Sequence, residues 1–129
     1  MAAATQRKLI NEFVTVETTD DTATEGLVLN VPADWRGRVT AEISAQDANS
    51  SGGFLYGKIS AVIYSGGVID VGTGYDAGQG GTLAGASEPT WIDSVSGDPA
   101  VEITGVVGRT IGWTIRVRGE IQYYPLSGG

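Results

Sequence analysis

Cysteine and histidine are both absent from this chain of 129 residues. Without cysteine there is no disulfide, no thiolate metal ligand and no cysteine nucleophile. Without histidine the commonest general base and the commonest metal-binding side chain are missing too. Cations are scarce: eight Lys and Arg stand against fifteen Asp and Glu, a formal charge of −7. Phosphate backbones are held by clustered Lys and Arg, so this balance argues against a nucleic-acid partner. It argues equally against an anionic membrane surface. Long apolar runs are lacking as well. The opening Met1-Ala-Ala-Ala-Thr-Gln-Arg-Lys-Leu-Ile10 has no apolar core of signal-peptide length, and no later stretch approaches a membrane span. The expectation is a protein that works where it is made, or leaves the cell without the secretory route. Proline is rare, four residues against twenty glycines, which points to a turn-rich all-β chain rather than a linker or a collagen.

Hydrophobic residues make up 41% of the chain, enough for a core. A single domain of this length buries roughly two-thirds of its unfolded surface and needs no staple. The clearest pattern lies near the C-terminus, over residues 109–122. Ile111, Trp113, Ile115, Val117 and Ile121 fall on one parity, and Thr110, Thr114, Arg116, Arg118, Glu120 and Gln122 on the other. Successive strand side chains point to opposite faces, so this is a strand with a dry side and a wet one. The wet side reads as a solvated surface or a rim for partner contacts. Residues 36–45 alternate in the same way, with Val39, Ala41, Ile43 and Ala45 inward. Further strands are expected at 12–17, at 27–31 (stopped by Pro32), at 54–64, and at 68–71 after Gly66-Gly67. Two more follow at 91–95 and 101–105. Residues 72–86, with six glycines, read as one long loop. The expected fold is therefore an all-β, about eight-stranded antiparallel sandwich, a jelly roll or a related Greek key. Residues 1–11 read as an N-terminal arm, 12–124 as the sandwich and 125–129 as a tail.

Few patterns point to chemistry. Asp70 and Asp76 flank a short glycine-containing segment, but calcium wants six to eight oxygens and the loop offers few. Asp20-Asp21 reads as a turn. Gly72-Thr-Gly74 and Gly78-Gln-Gly-Gly81 lack the following helix and the lysine that a phosphate cradle needs. A glycosidase could run on two carboxylates, yet no spacing selects a pair among the fifteen acids. No catalytic, cofactor-binding or metal site is assigned, and the chain reads as a non-enzyme. Trp113 belongs to the core by its parity. Trp35 and Tyr75 lie in polar surroundings and are the candidate stacking platforms for a sugar.

One string carries a family resemblance. Ile103-Thr-Gly-Val-Val-Gly-Arg-Thr-Ile-Gly-Trp113 places Gly105, Gly108, Thr110 and Trp113 in a Val-x-Gly-x-x-Gly-x-Thr-x-x-Trp pattern, with Ile103 in the valine position. Preceded by Trp91 and followed by the alternating strand through Arg116 and Arg118, it resembles a β-rich module of structural proteins of tailed bacteriophages. Loosely, the resemblance spans residues 14–122. It implies a virion structural protein, of a class that serves in fibres, tail components and head decoration. A single small domain with no heptad shaft or repeat, and a short arm carrying Arg7 and Lys8, favour a capsid decoration (cement) or head-fibre protein. The resemblance also implies a homotrimer whose partner is the major capsid protein or another virion protein. On that reading Arg7, Lys8, Leu9 and Ile10 of the arm are the candidate capsid contacts. The alternative is a receptor- or glycan-binding module at a tail or fibre tip, with Trp35, Tyr75 and Asp76 as contacts. Within the string itself, Gly105 and Gly108 are expected to allow a close approach or a positive φ, and Trp113 to anchor the core.

Overall fold

A computed structural model describes residues 6–72 and 74–125, with the backbone alone at Tyr75 and Asp76. Among these residues the chain forms nine strands: β1 (Arg7–Thr18), β2 (Ala23–Val28), β3 (Trp35–Asp47), β4 (Phe54–Tyr64), β5 (Gly67–Val71), β6 (Tyr75–Gly80), β7 (Thr90–Asp93), β8 (Pro99–Thr104) and β9 (Ile111–Tyr123). A single 3-10 turn, Gly81–Leu83, follows β6. All pairings are antiparallel. The larger sheet runs β1-β9-β3-β4, and β5 and β6 share the far edge of β4. The smaller sheet is β2-β8-β7. The architecture is thus an all-β sandwich of two antiparallel sheets.

The alternating C-terminal stretch is β9, paired along its whole length with β1 on one side and β3 on the other. That central seat explains its pattern, since Ile111, Trp113, Ile115, Val117 and Ile121 are all almost fully buried. Val39, Ala41, Ile43 and Ala45 of β3 continue the same core layer, and Leu27, Trp91, Val101 and Ile103 of the smaller sheet face it. Indole donors help tie the layers. Trp113 Nε1–H donates to Thr18 Oγ1 (2.8 Å), and Trp91 Nε1–H donates to the Ile59 carbonyl (3.0 Å). The corner between β8 and β9 needs its glycines. Gly108 sits at φ +77°, and a Cβ on Gly105 would collide with the Asp20 carbonyl oxygen.

Three sequence expectations change. Residues 7–11 are not an arm. They are the first part of β1, hydrogen-bonded opposite residues 118–122 of β9, because β9 runs long enough to pair them. Residues 72–86 are not one loop either, since β6 pairs with the first half of β4. Its glycines are covered by aromatic rings of that neighbour: a Cβ on Gly78 would meet the Tyr56 ring and one on Gly80 the Phe54 ring. Aromatic side chains lying across edge glycines restore the packing those residues lack. Finally, the second strand spans Ala23–Val28, and Leu29 and Val31 stay buried beyond its end.

Candidate functional site

The smaller sheet covers one side of the larger sheet, and the other side forms a broad outer face. The strand register fixes what stands there. Phe13 of β1, Arg116 of β9, Glu42 of β3 and Lys58 of β4 form one cross-strand row. The next row holds Thr15, Thr114, Ser44 and Tyr56. On the other flank lie Asn11, Arg118, Thr40 and Ser60, where the Thr40 and Ser60 hydroxyls are hydrogen-bonded at 2.8 Å.

Between Phe13 and Tyr56 the face sinks into an open depression of about 410 Å³. Both rings are exposed, Phe13 at 56% and Tyr56 at 48%, so flat apolar surface is offered to solvent at each end. Glu42, Lys58 and Arg116 stand along the depression, and Ser44 and Thr114 form part of its floor. Arg116 lies over the Phe13 ring, with its guanidinium carbon 5.4 Å from the centroid. Phe54 stacks beside Tyr56 (centroids 6.1 Å, planes 18° apart) and extends the aromatic end.

Charge is distributed very unevenly. Arg7, Arg36, Arg38, Lys58, Arg116 and Arg118, six of the eight cations in the chain, belong to this one face by strand parity. Among the described residues only Glu17, Glu42, Glu120 and Asp70 oppose them there. An acidic molecule therefore carries a locally cationic surface. Two ion pairs on it are long or exposed, Arg7–Glu120 at 3.3 Å and Arg118–Glu42 at 3.8 Å, and exposed pairs of this kind contribute little to stability. Arg36 is placed over the Tyr124 ring, 4.9 Å from its centroid.

Several acids on the rest of the molecule serve the fold. Asp20 accepts from the Thr22 N–H, as a turn residue should. Asp93 accepts from the Val68 N–H and links the edges of the two sheets. Glu25 accepts from the Val95 N–H. Asp47 is the most constrained. Its buried carboxylate accepts from the Thr82 hydroxyl (2.6 Å) and the Asn49 N–H (2.8 Å), with Arg109 at 3.4 Å. The Thr82 hydrogen bond does most to hold its pKa below the ordinary value, helped by Asn49 and by the Arg109 charge, while burial works in the opposite direction.

The residues singled out from sequence are scattered by this geometry. Arg7 and Leu9 stand on the outer face, Arg7 tied to Glu120. Lys8 and Ile10 have the opposite parity, and Ile10 is buried in the core, so it offers nothing to a capsid. Trp35 is half-buried, packs on the core and tilts against Tyr123 at 5.9 Å, so it is no free platform. Tyr75 and Asp76 lie in β6, and their side chains fall outside the described residues. The sequence reading did not single out Phe13, Tyr56 or Lys58, and it placed Arg116 only on the wet side of its strand, as solvated surface or a rim for partner contacts. The signal that could have found them was the outward parity of β9, once its two neighbours were known.

The fold thus defines a two-sheet antiparallel β-sandwich with one polar, cation-bearing sheet face. No protein-family model matches the chain. No curated protein matches it. Among solved structures it is similar to the tailspike protein of Acinetobacter baumannii phage AM24, with a TM-score of 0.40 and 17% identity. That match covers 97% of this chain and 27% of the tailspike chain, so this chain spans little more than a quarter of that protein.

Proposed function

We propose that this chain is a structural module of a tailed-bacteriophage virion, and that it works by binding through the outer face of its larger sheet. The reading is non-enzymatic, and its setting is a tail or fibre tip that meets the host surface. The observation that carries it is the concentration of cations and exposed aromatic rings on that one face of an otherwise acidic molecule. The Ile103–Trp113 string, with its glycine corner and buried tryptophan, supports the phage assignment. Its residues build the corner and the core.

The cement reading drew on an N-terminal arm. With Arg7 to Ile10 inside β1, a capsid-decorating protein of this sequence would have to use the sheet face instead. A homotrimer belongs to either version. The two versions predict opposite results with purified protein. A tip module added to host cells before infection lowers phage adsorption in proportion to its occupancy. A cement protein leaves adsorption unchanged and raises the temperature at which undecorated capsids disrupt. Neither effect at saturating protein would sink both.

A further inference from the structure

We propose that the depression between Phe13 and Tyr56 is a binding site for an acidic oligosaccharide. The proposal rests on reading the outer face as a binding surface, and it adds the chemical class of the ligand and the residues that take it. A sugar ring has an apolar face of C–H bonds and a rim of hydroxyls. Its site therefore needs exposed flat rings close to both donors and acceptors. Phe13 and Tyr56 supply the rings, and Ser44 and Thr114 supply hydroxyls between them. Phe13 and Lys58 stand three strand spacings apart in their row, roughly 14 Å. That span suits a short run of sugar rings better than a single one.

Charge selects the acidic class. Arg116 and Lys58 line the depression, Arg118 lies in the next row, and Glu42 is the one carboxylate among its described lining residues. A guanidinium presents paired donors to a carboxylate or sulfate, and that of Arg116 lies over the Phe13 ring beside the depression.

Other polyanions fit less well. The depression lies across β9 and β3, whose backbone groups are paired on both sides, so a peptide cannot dock by adding a strand. A DNA duplex carries about one charge per 1.7 Å of its axis, more than a polysaccharide with one carboxylate per sugar ring. Glu42 at the centre of the row and the acidic remainder of the molecule would repel it.

The test is a glycan array carrying uronate-, sialate- and sulfate-bearing oligosaccharides beside matched neutral ones. It is probed with the full chain and with Arg116→Gln, Phe13→Ala and Lys8→Gln. Thermal melts confirm that each exposed-site variant is folded. The expected result is retention by acidic glycans that weakens with salt. Arg116→Gln and Phe13→Ala should each bind at least tenfold more weakly, and Lys8→Gln, on the other face, like the parent. Three results overturn the proposal: no acidic glycan retained, neutral glycans retained equally, or undiminished binding by both face variants. Tighter binding of poly-glutamate or a DNA duplex than of any glycan also overturns it, in favour of an acidic protein or a nucleic acid. Virions that carry the chain while the array stays silent would refute the ligand alone.

Discussion

Trp113 is the largest fully buried side chain, and its indole is anchored as well as packed. Truncating it to alanine opens a cavity and leaves the buried Thr18 hydroxyl without its donor. The expected loss is about 3–5 kcal/mol, read from the midpoint of denaturant unfolding. A loss below about 1 kcal/mol would contradict the packing described. Asp47 gives a prediction in pH. Its pKa is lowered in the folded protein, so its carboxylate stabilises the fold at every pH above the ordinary value of 3.8. That contribution disappears as pH falls from there through the folded value. Asp47→Asn should therefore melt below the parent at pH 7, and the gap should narrow toward pH 2.5. A constant gap would remove the charged hydrogen bonds from the explanation.

At the scale of elements, β1 and β6 are the informative strands. A deletion ending at Ile10 removes a core side chain and the β1 residues paired with the end of β9. It should cost about 2 kcal/mol or more, visible as a lower unfolding midpoint. An unchanged midpoint would restore the arm. The edge glycines of β6 depend on the rings of β4, so Phe54→Ala with Tyr56→Ala should speed amide exchange at residues 77–80. Exchange in β3 and β9 should stay as it was, and uniform acceleration would mean that β6 is not a separate opening unit. These two strands are also where periodicity was silent. β9 and β3 could be read because one face of each is dry and the other wet. The start of β1 could not, because at the sheet edge Glu12, on the inward parity, is exposed and breaks the alternation. In β6 the glycines leave no alternation to see.

Across the whole molecule, the net charge of −7 hides a division that only the register reveals. The cations are dispersed along the sequence from Arg7 to Arg118, and four strands bring six of them to one surface. Counting charges therefore argued against anionic partners that the folded surface can attract. The candidate site stayed illegible for the same reason. Phe13 and Lys58 are 45 positions apart in the chain yet stand in one row, because β9 and β3 lie between them. Glu12 also bears on assembly: an exposed charge of inward parity in a long edge strand discourages another strand from pairing there. Edge-to-edge strand pairing between copies at β1 is accordingly disfavoured. The measurement that tests the account most directly is immunogold labelling of intact virions with an antibody to this chain. Gold at the tail or fibre tip is the predicted result. Gold confined to the head would contradict the tip placement, and unlabelled particles would contradict the virion reading itself.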